Sequence, residues 1–274
     1  MNLLDDTQRL LKVNKILPSK SKGQNFLISE NILEKIIVSS NLKKGDNVLE
    51  IGPGIGTLTR ELVKKNINLK VIELDKNLVK FLKPLSESKN FEIIESDILK
   101  INPEETFSRE FVENYKIVSN LPYNITSIFL RIFLGQKHKP KEMILMLQRE
   151  VVNRIINKDG KWSKLSIMCN LYSHTEYLFD VKRDNFYPSP SIDSAVMKFS
   201  IYKKNPYGNF DEKKFWQVVN IGFSSKRRTL INNLSAGLKI DKSVLKVTFL
   251  KFGFDENIRA EKLSINDWIN LSLM

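Results

Sequence analysis

The sequence predicts an α/β fold with a Rossmann-like rhythm, followed by a small C-terminal all-helical domain. Three observations carry that reading. Short β-branched runs alternate with amphipathic segments between Gly45 and Leu147, a glycine-rich turn closes the first of these runs, and beyond Lys204 only helical patterns remain.

The strands read in order as NVLEI at 47–51, LKVIEL at 69–74, FEIIES at 91–96, KIVSN at 116–120 and MILML at 143–147. Between the first two, Leu58, Leu62 and Val63 recur at helical spacing, as do Ile125, Ile128, Phe129, Ile132 and Phe133 between the fourth and fifth. Strand, helix, strand is the repeating unit, so a right-handed, mostly parallel sheet with helices on both faces follows, and such sheets bind ligands beyond the carboxyl ends of their strands. Two later runs, EYLFDV at 176–181 and SAVMKFSIY at 194–202, are expected to extend the sheet, the second as a half-exposed edge because its apolar and polar residues alternate. After the turn KKNPYG at 203–208 come FDEKKFWQVVNIGF, RRTLINNLSAG, KSVLKVTFLKFG and INDWINLSLM, all helical in pattern. The expected domains are therefore 1–204, catalytic, and 205–274, small and helical.

Composition narrows the function. The 274 residues are 42% hydrophobic and 27% charged, enough apolar material for a packed core and too much for a disordered chain. Lysine and arginine number 44 against 31 acids, a net charge of +13 that favours a polyanionic partner. Cys169 is the only cysteine, which excludes an intrachain disulfide, and His138 and His174 add too little for a metal site, so no metal is expected. Asp5 and Asp6 stand where a secretory signal would be apolar, and no apolar run reaches membrane-spanning length. A cytoplasmic protein without a membrane partner is the expectation.

The run Val48-Leu49-Glu50-Ile51-Gly52-Pro53-Gly54-Ile55-Gly56 ends a strand and opens a helix, where glycines let the backbone approach a ligand. A dinucleotide fingerprint would place its third glycine at 57, which is Thr57. The Glu50 carboxylate would repel a pyrophosphate on the helix N-terminus but tolerate a ligand carrying an ammonium and a sulfonium. S-adenosylmethionine is such a ligand. Glu73, at the end of the second strand, could accept both ribose hydroxyl hydrogens, and Asp97, after the third, a hydrogen from the adenine amino group.

After the fourth strand comes Asn120-Leu121-Pro122-Tyr123. The adenine amino nitrogen is a poor nucleophile because its lone pair is delocalised, so its methylation needs two acceptors that take the N–H hydrogens and leave the pair aimed at the methyl carbon. The Asn120 side-chain oxygen and a backbone carbonyl kept free by the Pro122 geometry fit that task, and Tyr123 is placed to stack on the base.

With these residues in view, the chain resembles the ribosomal small-subunit RNA adenine dimethyltransferases, which make N6,N6-dimethyladenosine. The likeness runs nearly end to end: Gly23-Gln24-Asn25-Phe26-Leu27, Glu50 to Gly56, Glu73-Leu74-Asp75, Asp97, Asn120 to Tyr123, Gln148-Arg149-Glu150-Val151, and Phe186 to Ser194. It implies a class I methyltransferase sheet and a donor site of Asn25, Leu27, Gly52, Glu73, Asp97 and Asn120, to which the turn adds Gly54. It also implies Asn120, Leu121 and Tyr123 at the target amine and Phe186 as a second stacking aromatic. The segment Phe223 to Leu230 is similar to the family's basic helix, although the usual arginine-arginine-lysine order appears as Lys226-Arg227-Arg228.

The expected partner is 16S rRNA within the small ribosomal subunit, gripped by Lys20 and Lys22 on one side and by Lys226, Arg227 and Arg228 on the other, with the protein a monomer. An unpaired adenosine splayed into a pocket between rings suits such a site. Three rivals share features of the sequence: an assembly factor for which methylation is secondary, a 23S rRNA adenine methyltransferase, and a DNA adenine methyltransferase, which needs a larger recognition domain than the last seventy or so residues provide.

Overall fold

The structure is a computed structural model, and it describes residues 2–19, 23–87 and 90–274. The strands are β1 (Phe26–Leu27), β2 (Asn47–Ile51), β3 (Asn68–Glu73), β4 (Phe91–Glu95), β5 (Tyr115–Asn120), β6 (Glu142–Gln148), β7 (Ser173–Val181), β8 (Phe186–Tyr187) and β9 (Ser194–Ile201). Among the described residues, seven of them form one sheet in the order β4-β3-β2-β5-β6-β9-β7, while β1 and β8 pair as a separate antiparallel ribbon.

The first five strands of that order run parallel, and the inner ones, β2, β5 and β6, are correspondingly buried on both faces. Every residue of β6 from Met143 to Leu147 is buried, because helices cover both sides of the sheet. The helix Thr126–Gly135 shows how the covering works: Thr126, Phe129, Leu130, Phe133 and Leu134 form its buried stripe, at the spacing of one helical face. That stripe shares Phe129 and Phe133 with the sequence reading but takes Leu130 and Leu134 in place of Ile128, which is 40% exposed, and Ile132.

One strand sits differently from expectation. β9 is not an edge: it lies antiparallel to β6, between β6 and β7, and β7 is the outer strand. The charged position that suggested solvent has a partner within the sheet, since Lys198 Nζ lies 2.7 Å from a Glu142 carboxylate oxygen on β6. A cross-strand ion pair imitates the alternation of an exposed edge.

The strand order reverses between β2 and β5, which makes their carboxyl ends the place where a crevice opens. Pairing of β2 with β5 covers 47–49 against 115–117, and farther along the buried Ser119 hydroxyl donates to the Ile51 carbonyl at 2.7 Å. That bond holds the two strand ends together below the turn that follows each of them. The N-terminal helix Leu3–Val13 contributes Leu11 to a small cluster with Phe26, Ile55, Leu78 and Phe81, so residues on both sides of the glycine turn are fixed by apolar packing.

The described chain divides into two compact units, 1–152 with 174–201, and 153–173 with 202–274. The change of pattern near Lys204 lies close to the second junction. The segment 153–173, expected within the catalytic domain, belongs instead with the helices: Ile167 and Leu171 are fully buried in one core with Phe215, Leu234, Phe249 and Trp268. The Trp162 N–H donates to the Glu261 carbonyl at 2.8 Å, binding this inserted segment to the last part of the chain.

Candidate active site

A cavity of about 280 Å³ opens at the carboxyl ends of β2, β3, β4 and β5. Its wall includes Asn25, Leu27, Gly52, Gly54, Glu73, Asp97, Asn120, Leu121, Pro122 and Tyr123, so the expected donor and target residues come together there, Phe186 apart.

The glycine turn is shaped by close approach. Gly52 has a φ of +62°, and a Cβ there would stand 3.0 Å from Pro122 Cγ, so the turn after β2 and the proline after β5 leave no room for a side chain. Gly54 likewise faces the Phe26 ring, 3.1 Å from where its Cβ would be. The Gly54 N–H donates to Glu73 Oε2 at 3.0 Å and the Asp75 N–H to Glu73 Oε1 at 2.8 Å, which ties the turn to the end of β3. Burial raises the Glu73 carboxyl above the usual range, and the N–H donors oppose that rise. Asp97 accepts the Leu99 N–H at 3.0 Å and thereby caps the short turn after β4.

Beneath the turn, Glu50 is 2% exposed and its Oε2 has no hydrogen-bond partner among the described residues. Burial pushes its carboxyl up to about 8, the Thr59 hydroxyl opposing the shift and Glu73 adding to it. A buried carboxyl with an orphan oxygen in a cavity wall is suited to a cation. Leu74 is the apolar counterpart: it lines the cavity yet is 62% exposed, an open face for a flat apolar ligand.

Three connections were not foreseen. Gln24 joins the N-terminal segment to the turn after β3 by accepting the Ser19 N–H at 2.8 Å and donating to Asp75 Oδ2 at 3.0 Å. The Tyr123 hydroxyl lies 2.6 Å from Ser194 Oγ, at the start of β9. In the helical unit, the buried Asn233 donates to the carbonyls of Gly222 and Ser225 at 2.7 and 3.0 Å, bracing the loop that presents Lys226, Arg227 and Arg228. Of these three, the sequence carries a signal only for the first, in the Gly23–Leu27 motif.

Two expectations need correction or restriction. Phe186 does not line the cavity: it is 3% exposed, pairs through β8 with Leu27, and belongs to a core cluster with Leu33, Ile36 and Val196. Its place in a two-residue strand decides this, since the next residue, Tyr187, turns to the other side and packs beside the cluster of Phe26 and Leu78. Lys20 and Lys22 lie outside the described residues. Lys226, Arg227 and Arg228 are exposed and form no ion pair among the described residues. Cys169 is a buried free thiol, and no cluster of three or more metal-binding side chains occurs among the described residues.

The model of the ribosomal RNA adenine dimethylases matches residues 18–274. The chain belongs to that family. It is accordingly an rRNA adenine dimethyltransferase by kinship, and its relatives agree. Ribosomal RNA small subunit methyltransferase A of Dehalococcoides mccartyi strain CBDB1 is 37% identical over 273 residues, 99% of this chain and 93% of that protein. The protein of the same name from Crocosphaera subtropica is 39% identical over 266 residues, 93% of this chain and 97% of its own. Among solved structures, a dimethyladenosine transferase from Plasmodium falciparum superposes with a TM-score of 0.74 at 26% identity, covering 90% of this chain and 95% of that one. The 23S rRNA methyltransferase ErmE shares the fold, with a TM-score of 0.71 at 24% identity over 91% of this chain and 98% of its own.

For a dimethylase of this family the methyl donor must fit the residues present, and they suit it. Glu50 offers its orphan carboxyl oxygen, Gly52 and Gly54 leave a cradle that a Cβ would fill, and Leu74 presents an exposed apolar face.

Proposed function

We propose that this chain uses S-adenosylmethionine to dimethylate N6 of two adjacent adenosines in the 16S rRNA of the small ribosomal subunit. The observation that carries the reading is one cavity walled both by Glu50, Gly52, Gly54, Glu73 and Asp97 and by Asn120 to Tyr123. The donor supplies an electrophilic methyl carbon on a sulfonium; everything else is the work of the chain.

Glu50 and Glu73 supply negative charge beside the glycine cradle for the cationic end and the ribose hydroxyls, and Asp97 accepts from the adenine amino group. Asn25 and Leu27 close the cavity from the N-terminal side. At the target amine, the Asn120 side-chain oxygen takes one N–H hydrogen. The Pro122 carbonyl is already engaged by the Ile125 N–H at 3.2 Å, which favours the Leu121 carbonyl as the second acceptor. Tyr123 lines the same cavity and stacks on the base. Burial raises the Tyr123 hydroxyl above its ordinary value, so it stays protonated and does not act as a base. None is needed, because the methylated ammonium loses its proton readily to water and catalysis is a matter of positioning.

Lys226, Arg227 and Arg228, exposed on the braced loop of the helical unit, are the proposed phosphate contacts, and a ribosomal substrate puts the enzyme in the cytoplasm. Among the described residues no helix is long and apolar enough to cross a membrane. The test is Asn120→Ala: single-turnover methyl transfer falls by about a hundredfold, the scale of losing a transition-state hydrogen bond, while donor affinity stays within a few-fold. An unchanged transfer rate removes Asn120 from this role.

A further inference from the structure

The acceptors at the target amine can work only if the base is presented at the right tilt, and a stacking ring sets that tilt. Tyr123 follows the acceptors directly, and its ring is attached to the backbone by two rotatable bonds. What limits their rotation is the hydroxyl, 2.6 Å from Ser194 Oγ. Either oxygen can be the donor.

Ser194 is built as a fixed point. It is fully buried, opens β9, and stands opposite Gln148 of β6 in the sheet register. Asp193, immediately before it, is held from three directions: its carbonyl accepts the Arg149 N–H at 3.0 Å, and its carboxylate accepts the Arg183 N–H at 2.9 Å and Lys182 Nζ at 3.1 Å. The loop that enters β9 is thus anchored to β6 and to the residues after β7 before its serine reaches Tyr123. A phenylalanine would fill the same space as Tyr123 but could not be tied to this anchor.

We infer that Ser194 is a positioning residue for methyl transfer: through its hydrogen bond to Tyr123 it fixes the plane of the ring on which the target adenine stacks. This rests on the reading of Tyr123 as the stacking ring. Ser194 touches neither donor nor base; it acts through the tyrosine.

Four variants test it: Ser194→Ala, Tyr123→Phe, the double variant and Tyr123→Ala. Three measurements are made on the full chain: single-turnover methyl transfer, donor affinity, and the fluorescence of an RNA carrying 2-aminopurine at the target position, which reports base stacking without turnover. Ser194→Ala and Tyr123→Phe are each expected to slow transfer about threefold to tenfold, the range carried by one neutral hydrogen bond. The double variant is expected to be no slower than either single one, because the same bond is lost. Donor affinity should stay within about twofold, and stacking-induced quenching of 2-aminopurine should weaken in all three. If Ser194→Ala fails to fold, Tyr123→Phe removes the same bond and carries the test. Should Tyr123→Ala abolish quenching and transfer while the other variants behave as wild type, the positioning role of Ser194 is wrong and the stacking role of Tyr123 stands. Should Tyr123→Ala itself quench and transfer normally, the stacking reading fails first. A loss of thermal stability in Ser194→Ala with wild-type transfer and quenching would reduce the hydrogen bond to a structural one and overturn the inference.

Discussion

If Glu50 faces the cationic end of the donor, as proposed, donor binding is a proton-linked event, and the size of the link follows from its surroundings. Its carboxyl is 2% exposed, and burial pushes it up to about 8. Ionising it at pH 7 against a pKa of about 8 therefore costs about 1.4 kcal/mol. A ligand with an ammonium and a sulfonium favours the ionised form, so binding must expel the proton, and affinity gains about tenfold per pH unit wherever the free protein is protonated and the complex is not. The window between pH 6 and 7 is the useful one, because the ammonium of the ligand stays charged there. Donor titrations by calorimetry, in buffers of different ionisation enthalpy, should show release of close to one proton at pH 6.5 and about a tenfold tighter complex at pH 7 than at pH 6. In Glu50→Gln both effects should vanish, since glutamine does not titrate. The stability sign runs the other way: because the folded carboxyl is raised from 4.5, its contribution is complete at low pH and is lost as pH rises through about 8, a loss that Glu50→Gln should escape. Wild-type affinity that does not change between pH 6 and 7, with no proton release, would refute the placing of Glu50 against the cation.

Gly52→Ala forces an L side chain into a φ of +62° and sets its Cβ 3.0 Å from Pro122 Cγ; the left-handed backbone alone costs roughly 1–2 kcal/mol. A lower thermal midpoint and at least tenfold weaker donor binding by titration are expected, and wild-type binding would mean that the turn does not cradle the donor. Replacing Lys226, Arg227 and Arg228 by glutamine should weaken RNA binding and flatten its dependence on salt, each lost phosphate contact removing about 0.7 from the logarithmic slope for single-stranded RNA. Filter binding across a salt series measures this, and an unaltered slope would put the RNA surface elsewhere.

The parts of the site that were legible in the sequence are those whose chemistry sits at the ends of parallel strands. Gly52 and Gly54 follow β2, Glu73 ends β3, Asp97 follows β4 and Asn120 ends β5, and a parallel sheet delivers such residues to one edge whatever the details of packing. What was not legible depends on contacts between distant residues. Tyr123 and Ser194 are 71 positions apart and Gln24 and Asp75 are 51 apart, so no local pattern announces either hydrogen bond. β9 looked like an edge because Lys198 is polar, and its ion pair with Glu142 is invisible until β6 is known to be its neighbour. Phe186 was expected in the pocket on the strength of the resemblance, and a two-residue strand has no periodicity from which to read its face independently. The helix Lys164–Tyr172 carries an apolar side, but nothing in its own sequence says that this side packs with Phe215 and Leu230 instead of with the sheet.

The proposed function requires that the amine of an rRNA adenosine be presented to the methyl donor in the cavity between Glu50 and Tyr123. Its most direct test is to incubate the protein with isotopically labelled S-adenosylmethionine and unmodified small subunits, large subunits or duplex DNA, then digest the nucleic acid and identify the labelled nucleoside. N6,N6-dimethyladenosine is expected from small subunits alone, and none from the Asn120→Ala protein. Label in large subunits or DNA, or in a nucleoside other than a methylated adenosine, would contradict it.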